Sequence, residues 1–324
     1  MATYTIGVDL GGTNIAAGIV DDRMQIVKKG SVPTRAERGG DAIMADMAAL
    51  CRSLCEEAGI ALADIESVGI ASPGTVLYKE GMIERSDNLN FYRFPIVDKL
   101  RALLPGMTVY LENDANAAAW AEAVAGAARG TRDSVMITLG TGLGGGLVLD
   151  GKIYVGHNGA AAELGHVLVK KGGRLCNCGR RGCFEAYCSA TGLIQSTKEM
   201  MEECRRLKYD TLMTEEAEKY GKVNARVAFN AMKRGDKYAR RVIEEYREFL
   251  ADGIIDLINT FQPEVLSIGG GICNEGEHLL SPDFLAKIDR EQFTRDADHK
   301  TRICVAELGN DAGIVGAAML GKSL

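Results

Sequence analysis

The sequence predicts an α/β protein that builds one supersecondary unit twice and so forms two similar lobes. Three observations carry this prediction. The segments "TIGVDLGGTNIAAGIVDDRMQIV" from Thr5 and "SVMITLGTGLGGGLVLDGKIYVG" from Ser134 repeat one pattern. Each reads as apolar strand, glycine turn, apolar strand, tight turn at Asp21-Asp22 or Asp150-Gly151, and third strand. A helical pattern between the repeats has an apolar face suited to packing on a sheet. At 324 residues, the chain is also long enough for two domains with separate cores.

The elements follow in order. After the first repeat, "DAIMADMAALCRSLCEEAGI" sets Ile43, Met47, Leu50 and Leu54 at helical spacing, an amphipathic helix for the first sheet. "SVGIAS" is the next strand and ends in the turn "PGT". The strand "VYLEND" closes on three polar residues and runs into the alanine-rich helix former "ANAAAWAEAVAGAA". Asp114 therefore sits where a strand ends and a helix begins. From Ser189 to Phe261 the pattern is mainly helical, followed by the strand "EVLSIGGGI" and a tightly packed Gly/Ala-rich helix in "NDAGIVGAAML". No low-complexity linker separates the lobes. Motif order assigns residues 1–115 to a small α/β lobe, completed by the C-terminal helix at about 310–324, and residues 116–309 to a larger one.

Composition narrows the function. A net charge of −6 offers no footprint for nucleic acid, whose binding generally uses a concentrated basic face. No apolar run approaches the roughly eighteen residues that would suggest a bilayer span. The amino terminus enters a strand without a basic or cleavable apolar leader, so the expected location is the cytoplasm. Nine cysteines, an odd number in a long chain without a leader, argue for reduced thiols and make metal binding the better explanation of a cluster.

Two glycine turns, "DLGGTN" (Asp9–Asn14) and "LGTGLGGG" (Leu139–Gly146), occupy matching places in the repeat. Glycines there let backbone N–H groups approach phosphate oxygens, with Thr13 and Thr141 adding hydroxyls. Neither turn has the lysine-bearing phosphate-loop pattern, and the first does not open a helix, which disfavours a dinucleotide site. Asp9 suits either a water-mediated Mg²⁺ contact or a turn cap. Asp114 suits either a helix N-cap or a general base at the carboxyl end of a strand. Glu112, Asn113 and Asn116 crowd further polar groups beside it.

Cys176, Cys178 and Cys183, with His166 ten positions before the first, make a Cys3His set suited to tetrahedral Zn²⁺. Four protein ligands leave no open position, which predicts a structural ion and disfavours a zinc hydrolase. Such a clip would hold Glu163 and Glu185, acids that either accept hydrogen bonds from a polyol or are plain surface charge.

Together "DLGGTN", "IASPG", "LENDANAAAW", "ITLGTGLGGGLVLDGKIYVG", "GAAAELGH", "CNCGRRGCFEAYCSATGL" and "LSIGGGI" resemble the ROK family of sugar kinases and repressors. The resemblance runs from Ile6 to Gly271. It implies a duplicated actin-like, hexokinase-like (ribonuclease H-like) fold of two lobes with a central cleft. The implied activity is ATP-dependent phosphorylation of a hexose on its 6-hydroxyl, with Mg²⁺ and a structural Zn²⁺. "GHNGAAAELGH" is closest to the glucose-phosphorylating members.

Carried over by position, the resemblance implies Asp114 as general base and sugar contacts at Gly74, Asn88, Asn113, Asp114, Glu163, His166 and Glu185. ATP contacts would be Asp9, near Mg²⁺, with Gly11, Gly12, Thr13, Asn14, Gly140, Thr141 and Gly142 at the phosphates, and Gly270 and Gly271 near the adenosine. Zinc ligands would be His166, Cys176, Cys178 and Cys183. Family members are commonly homodimers or homotetramers. Phe91 stands where the family pattern has tryptophan, and Ala162 where glycine often precedes the glutamate. These departures leave open N-acetylglucosamine, N-acetylmannosamine, mannose or fructose as the sugar. A non-catalytic sugar sensor is the alternative of another class, set against intact phosphate turns and Asp114. A repressor would need a DNA-reading domain ahead of the first glycine turn, which here begins by residue 9.

Overall fold

The computed structural model describes residues 3–322. In chain order the first part holds β1 (Tyr4–Leu10), β2 (Asn14–Val20), β3 (Ile26–Pro33), α1 (Gly40–Ala58), β4 (Ile65–Ser72), β5 (Thr75–Leu77), β6 (Met82–Ser86) and β7 (Phe91–Phe94). Then come α2 (Ile96–Leu103), β8 (Thr108–Asn113), α3 (Asp114–Val124), β9 (Ser134–Leu139), β10 (Leu143–Leu149) and β11 (Lys152–Ile153). The rest holds α4 (Glu185–Cys188), α5 (Ala190–Leu207), α6 (Leu212–Lys219), α7 (Arg226–Lys233), α8 (Lys237–Phe261), β12 (Val265–Gly269), α9 (Pro282–Glu291), β13 (Arg302–Val305) and α10 (Ala312–Ala318). No helix among the described residues is long and apolar enough to cross a membrane.

The repeat seen in the sequence is a repeat of topology. One five-stranded sheet has the order β3-β2-β1-β4-β8 and the other β11-β10-β9-β12-β13. In both, a three-strand meander is extended by strands that arrive from later in the chain, and β1-β4, β4-β8 and β12-β13 pair in parallel. A third sheet, β5-β6-β7, is absent from the sequence reading. Its strands are three to five residues long with mixed polarity, too short for periodicity to mark.

The chain divides into two compact units: Met1–Met136 with Gly146–Ala162 and Ala306–Leu324, and Ile137–Gly145 with Glu163–Val305. This division differs from a boundary at residue 115, because α3 packs on α10 within the first unit. On one face of the first sheet, Ile43, Met47, Leu50 and Leu54 of α1 are buried with Ile6, Val8, Val68 and Ile70, as their spacing predicts. Phe91 is buried in the same core with its ring stacked on Phe94, so this departure from the family pattern is a core substitution.

The other face is built for backbone contact. Gly7 pairs with Gly69 across β1 and β4, and a Cβ at these positions would lie 1.8 Å from the Ile314 carbonyl oxygen and 1.7 Å from that of Ala317. A Cβ at Gly316 would lie 1.8 Å from the Ala117 carbonyl oxygen. Helix α10 thus rests directly on the strands and on α3. One pleat further along, the row Asp9, Ala71, Glu112 faces the same helices. In the second unit Phe184, Phe229, Tyr246, Leu250 and Ile254 are buried, with the Phe184 ring against Gly253.

Gly69→Val is expected to destabilise the protein by about 1–3 kcal/mol or more, because a backbone atom and not a side chain must yield. The urea midpoint measures this. A midpoint equal to that of the wild type would show that α10 does not lie so close.

Candidate functional site

In the first unit, β1 carries Asp9 one residue before its end at Leu10, and the chain then turns through Gly11–Thr13. The Gly11 N–H donates to the Asn14 carbonyl at 2.9 Å, and the Thr34 hydroxyl and N–H bind the carbonyls of Gly11 and Thr13 at 2.6 and 2.8 Å. The turn is thereby closed from behind, leaving Gly12, Thr13 and Asn14 exposed. A Cβ on Gly12 would come 3.2 Å from Cβ of Asn88, so the turn and the short helical turn carrying Asn88 approach closely.

Asp114 opens α3, yet the N-cap is Asn113. The Asn113 side-chain oxygen accepts from the N–H groups of Ala115 and Asn116 at 2.9 and 3.2 Å, while its amide donates to the Gly74 carbonyl at 3.3 Å. Capping is done by the neighbour, so the Asp114 carboxylate, which accepts from Ala115 N–H at 2.9 Å, is not needed for that purpose. Gly74 has φ of 110°, and a Cβ there would lie 2.3 Å from the Arg85 carbonyl, a position only glycine fills.

Burial raises the Asp114 carboxyl above its ordinary value, and hydrogen bonds from the helix start oppose this. The Asp9 carboxyl is raised from 3.8 to about 6, first by burial and second by the charge of Asp114. These two acids thus form an electrostatically coupled pair beside a turn of exposed backbone donors. Such a place favours a cation or a proton between them and an anion on the turn.

In the second unit, the glycine turn after β9 is tied to the start of α5. The Gly140 carbonyl accepts from Ala190 N–H at 2.8 Å, and the Thr141 carbonyl from the Thr191 hydroxyl at 2.7 Å. Glu185 lies under the turn, its carboxylate accepting from Leu143 N–H at 2.9 Å. A Cβ on Gly142 would meet that carboxylate at 2.5 Å. A cavity of about 430 Å³ opens beside the turn, lined by Gly140, Thr141, Tyr220, Phe229, Gly271 and Glu275 among others. Gly271 lines it, whereas Gly270, with φ of 91°, sits where a Cβ would lie 2.5 Å from the Leu139 carbonyl. Tyr220, Asn224, Arg226 and Phe229 escaped sequence reading, because they lie on and between helices and carry no motif.

His166, Cys176, Cys178 and Cys183 bring their donor atoms within 4.8 Å of one another. The Cys176 sulfur lies 3.7 Å from His166 Nδ1, and the sulfurs of Cys178 and Cys183 lie 3.6 Å apart. Around a tetrahedral ion with sulfur at about 2.3 Å the ligand atoms would be about 3.6–3.8 Å apart, so the spacing fits such an ion. The loop is a small knuckle: bridges join Leu168 to Cys183 and Leu175 to Arg181. Gly179 and Gly182 turn it through φ of 86° and 88°. Glu163 approaches His166 Nε2 at 3.9 Å, and Glu185 accepts from the Cys176 thiol at 3.6 Å, so both acids border the cluster. Ala162 holds φ of 64°, a left-handed conformation that costs an alanine about 1–2 kcal/mol and explains why glycine suits this position.

Of the residues singled out from sequence, Asp9, Gly11, Gly12, Thr13, Asn14, Gly74, Asn88, Asn113 and Asp114 lie in the first unit. Gly140, Thr141, Gly142, Glu163, His166, Cys176, Cys178, Cys183, Glu185, Gly270 and Gly271 lie in the second.

A sheet pair of one strand order, each with a glycine turn after its first strand, defines the hexokinase-like branch of the actin-like fold class. The chain belongs to the ROK family, whose model matches residues 5–323. It is 36% identical over 321 residues to a glucokinase of Thermotoga maritima, covering 98% of this chain and 96% of that one. An N-acetylmannosamine kinase of Salmonella typhimurium is 31% identical over 98% of both chains. A ROK family glucokinase from Streptomyces griseus, solved with glucose and AMPPNP, superposes with a TM-score of 0.77 at 34% identity, covering 98% of each chain.

The Asp9 carboxyl sets a measurable expectation. Its folded value near 6 lies above its ordinary 3.8, so its ionisation opposes folding. The penalty is absent below about pH 4, grows as the pH rises to 6 and is full above that. Asp9→Asn should therefore match the wild type near pH 4 and exceed it above pH 6, by at most about 3 kcal/mol. Urea unfolding at both pH values tests this, and an equal difference at the two would contradict the burial argument.

Proposed function

We propose that this protein is an ATP-dependent hexose kinase, a glucokinase in particular, transferring the γ-phosphoryl group of ATP to the 6-hydroxyl of glucose. The observation that carries the reading is Asp114: a half-buried carboxylate at a strand-to-helix junction, with capping delegated to Asn113 and its carboxyl raised above the ordinary value by burial. The glucokinase relatives support the choice of sugar. The N-acetylmannosamine kinase supports the alternative of an N-acetylhexosamine at lower identity. The reaction is assigned to the cytoplasm, where ATP is available.

The sugar contacts are assigned to Gly74, Asn88, Asn113, Asp114, Glu163, His166 and Glu185. As the sugar oxygen bonds to the γ-phosphorus, the bond from that phosphorus to the bridging oxygen breaks and ADP leaves. The 6-hydroxyl proton passes to the Asp114 carboxylate. Phosphate oxygens are assigned to backbone N–H groups of Gly12, Thr13 and Asn14 and of Thr141 and Gly142, while Gly11 and Gly140 shape the turns, their own N–H groups donating to the carbonyls of Asn14 and Gly142. The 430 Å³ cavity is ample for the nucleoside. Asp9 would hold Mg²⁺ through water, and that ion would neutralise phosphate charge. His166, Cys176, Cys178 and Cys183 would hold a structural Zn²⁺, which with four protein ligands supplies rigidity to the loop bearing Glu163 and Glu185.

The direct test is ADP release with ATP–Mg²⁺ across glucose, mannose, fructose, N-acetylglucosamine and N-acetylmannosamine. A dominant response to glucose is expected. Silence with every sugar, while sugar still binds, would favour the sensor reading. Asp114→Asn should keep the fold and sugar binding while turnover falls by about 10²–10⁴-fold, and near-normal turnover would remove Asp114 as the base. Cys178→Ser should lose zinc and sugar affinity together, measured by metal analysis and calorimetry. Normal sugar affinity without the metal would separate the ion from the sugar site.

A further inference from the structure

The reaction as described leaves unused one buried carboxylate at the site. Glu112 is 4% exposed, two residues before Asp114. A single oxygen, Oε1, accepts from the Tyr78 hydroxyl, from the Asn113 N–H at 2.8 Å and from the Asn116 amide at 3.1 Å. A carboxylate so buried is costly, and the fold does not require a charge there. Its neighbour Ala71, in the same pleat row, is apolar and packs against Ala117 and Ala317. What Glu112 does accomplish is local: it fixes the backbone of Asn113, the cap of α3, and so the first helical residue, Asp114.

Tyr78, the other end of this bond, follows β5 in the small third sheet. Three proposed parts of the sugar site are joined to it, directly or through Glu112 and Asn113. Gly74, on the turn entering β5, receives the Asn113 amide. The segment that leads to Glu163 crosses the ring itself. A Cβ on Gly159 would lie 2.9 Å from a Tyr78 ring carbon and 2.4 Å from the Val76 carbonyl, with φ of 78° at that glycine. Tyr78 therefore supports the 156–162 segment with its ring and the base-bearing junction with its hydroxyl.

We infer that Tyr78 and Glu112 are positioning residues that set the sugar segment and the Asp114 junction at one mutual distance, and thereby the choice among hexoses. The inference rests on the kinase reading. Neither residue touches the reacting atoms. They act through Asn113, Gly74 and Gly159, and a change in that distance falls unequally on sugars that differ at one substituent.

The experiment compares wild type, Tyr78→Phe, Glu112→Gln and Glu112→Ala on glucose, mannose and N-acetylmannosamine, with sugar affinity measured by calorimetry without ATP. Tyr78→Phe removes one hydroxyl from a residue 36% exposed, so folding should survive. The expected result is a fall of roughly tenfold or more in kcat/KM for glucose. The ratio of glucose to the other sugars should shift severalfold while KM for ATP stays put and Tm falls only modestly, because Glu112 keeps the Asn113 and Asn116 donors. Glu112→Gln keeps an acceptor oxygen and should retain most of the selectivity that Glu112→Ala loses. Unchanged sugar ratios in Tyr78→Phe, or an equal loss for all sugars in step with a lower Tm, would overturn the inference. A wild type that turns over no hexose would overturn the kinase reading instead, and the calorimetric sugar ratios would still decide this one.

Discussion

The contact on which the first unit depends is one of bare backbone. Gly7 and Gly69 lie side by side across β1 and β4, and the carbonyls of α10 rest where their side chains would be. Gly316 repeats the arrangement between α10 and α3. With no side-chain layer between them, helices and sheet lie in backbone contact, and close-packed backbone has little room to slide. The next row of the same face then carries Asp9 and Glu112, flanking the small Ala71. The site's acids thus inherit their positions from glycines whose role is close backbone packing.

That precision has an electrostatic cost. Asp9 is raised to about 6, and Asp114 and Glu112 are also raised, in each case chiefly by burial. A protein selected for stability alone would not set three carboxyls in one half-dry corner. Under the proposed kinase reading, phosphoryl transfer would give them a use: a cation to bind, a proton to accept and a junction to hold. The second unit reaches local rigidity by other means. Its knuckle brings the donor atoms of three cysteines and one histidine within 4.8 Å of one another, and under the proposed reading a tetrahedral ion there would tie the loop together.

The helix assignments and the repeat were legible because their signals are local. Spacing on α1 is visible in Ile43, Met47, Leu50 and Leu54, and alanine content marks α3. The Cys3His set was legible for the same reason, since its three cysteines fall within eight residues. The β5-β6-β7 sheet was not, nor the cavity wall at Tyr220, Asn224 and Phe229, because their residues are brought together by distant segments and follow no periodic pattern.

The amino-acid sequence by itself therefore determined the duplicated α/β class, the glycine turns, the grouping of three cysteines with one histidine and Asp114 at a strand-to-helix junction. Tertiary structure decided which of two adjacent polar residues caps α3, that Phe91 stacks in the core, that α3 belongs with α10, and that Tyr78 meets Glu112. The physical reason is range. Turn chemistry, helical period and ligand spacing are set by neighbours along the chain, whereas burial and hydrogen-bond partners are set by which distant segments the packing brings into contact.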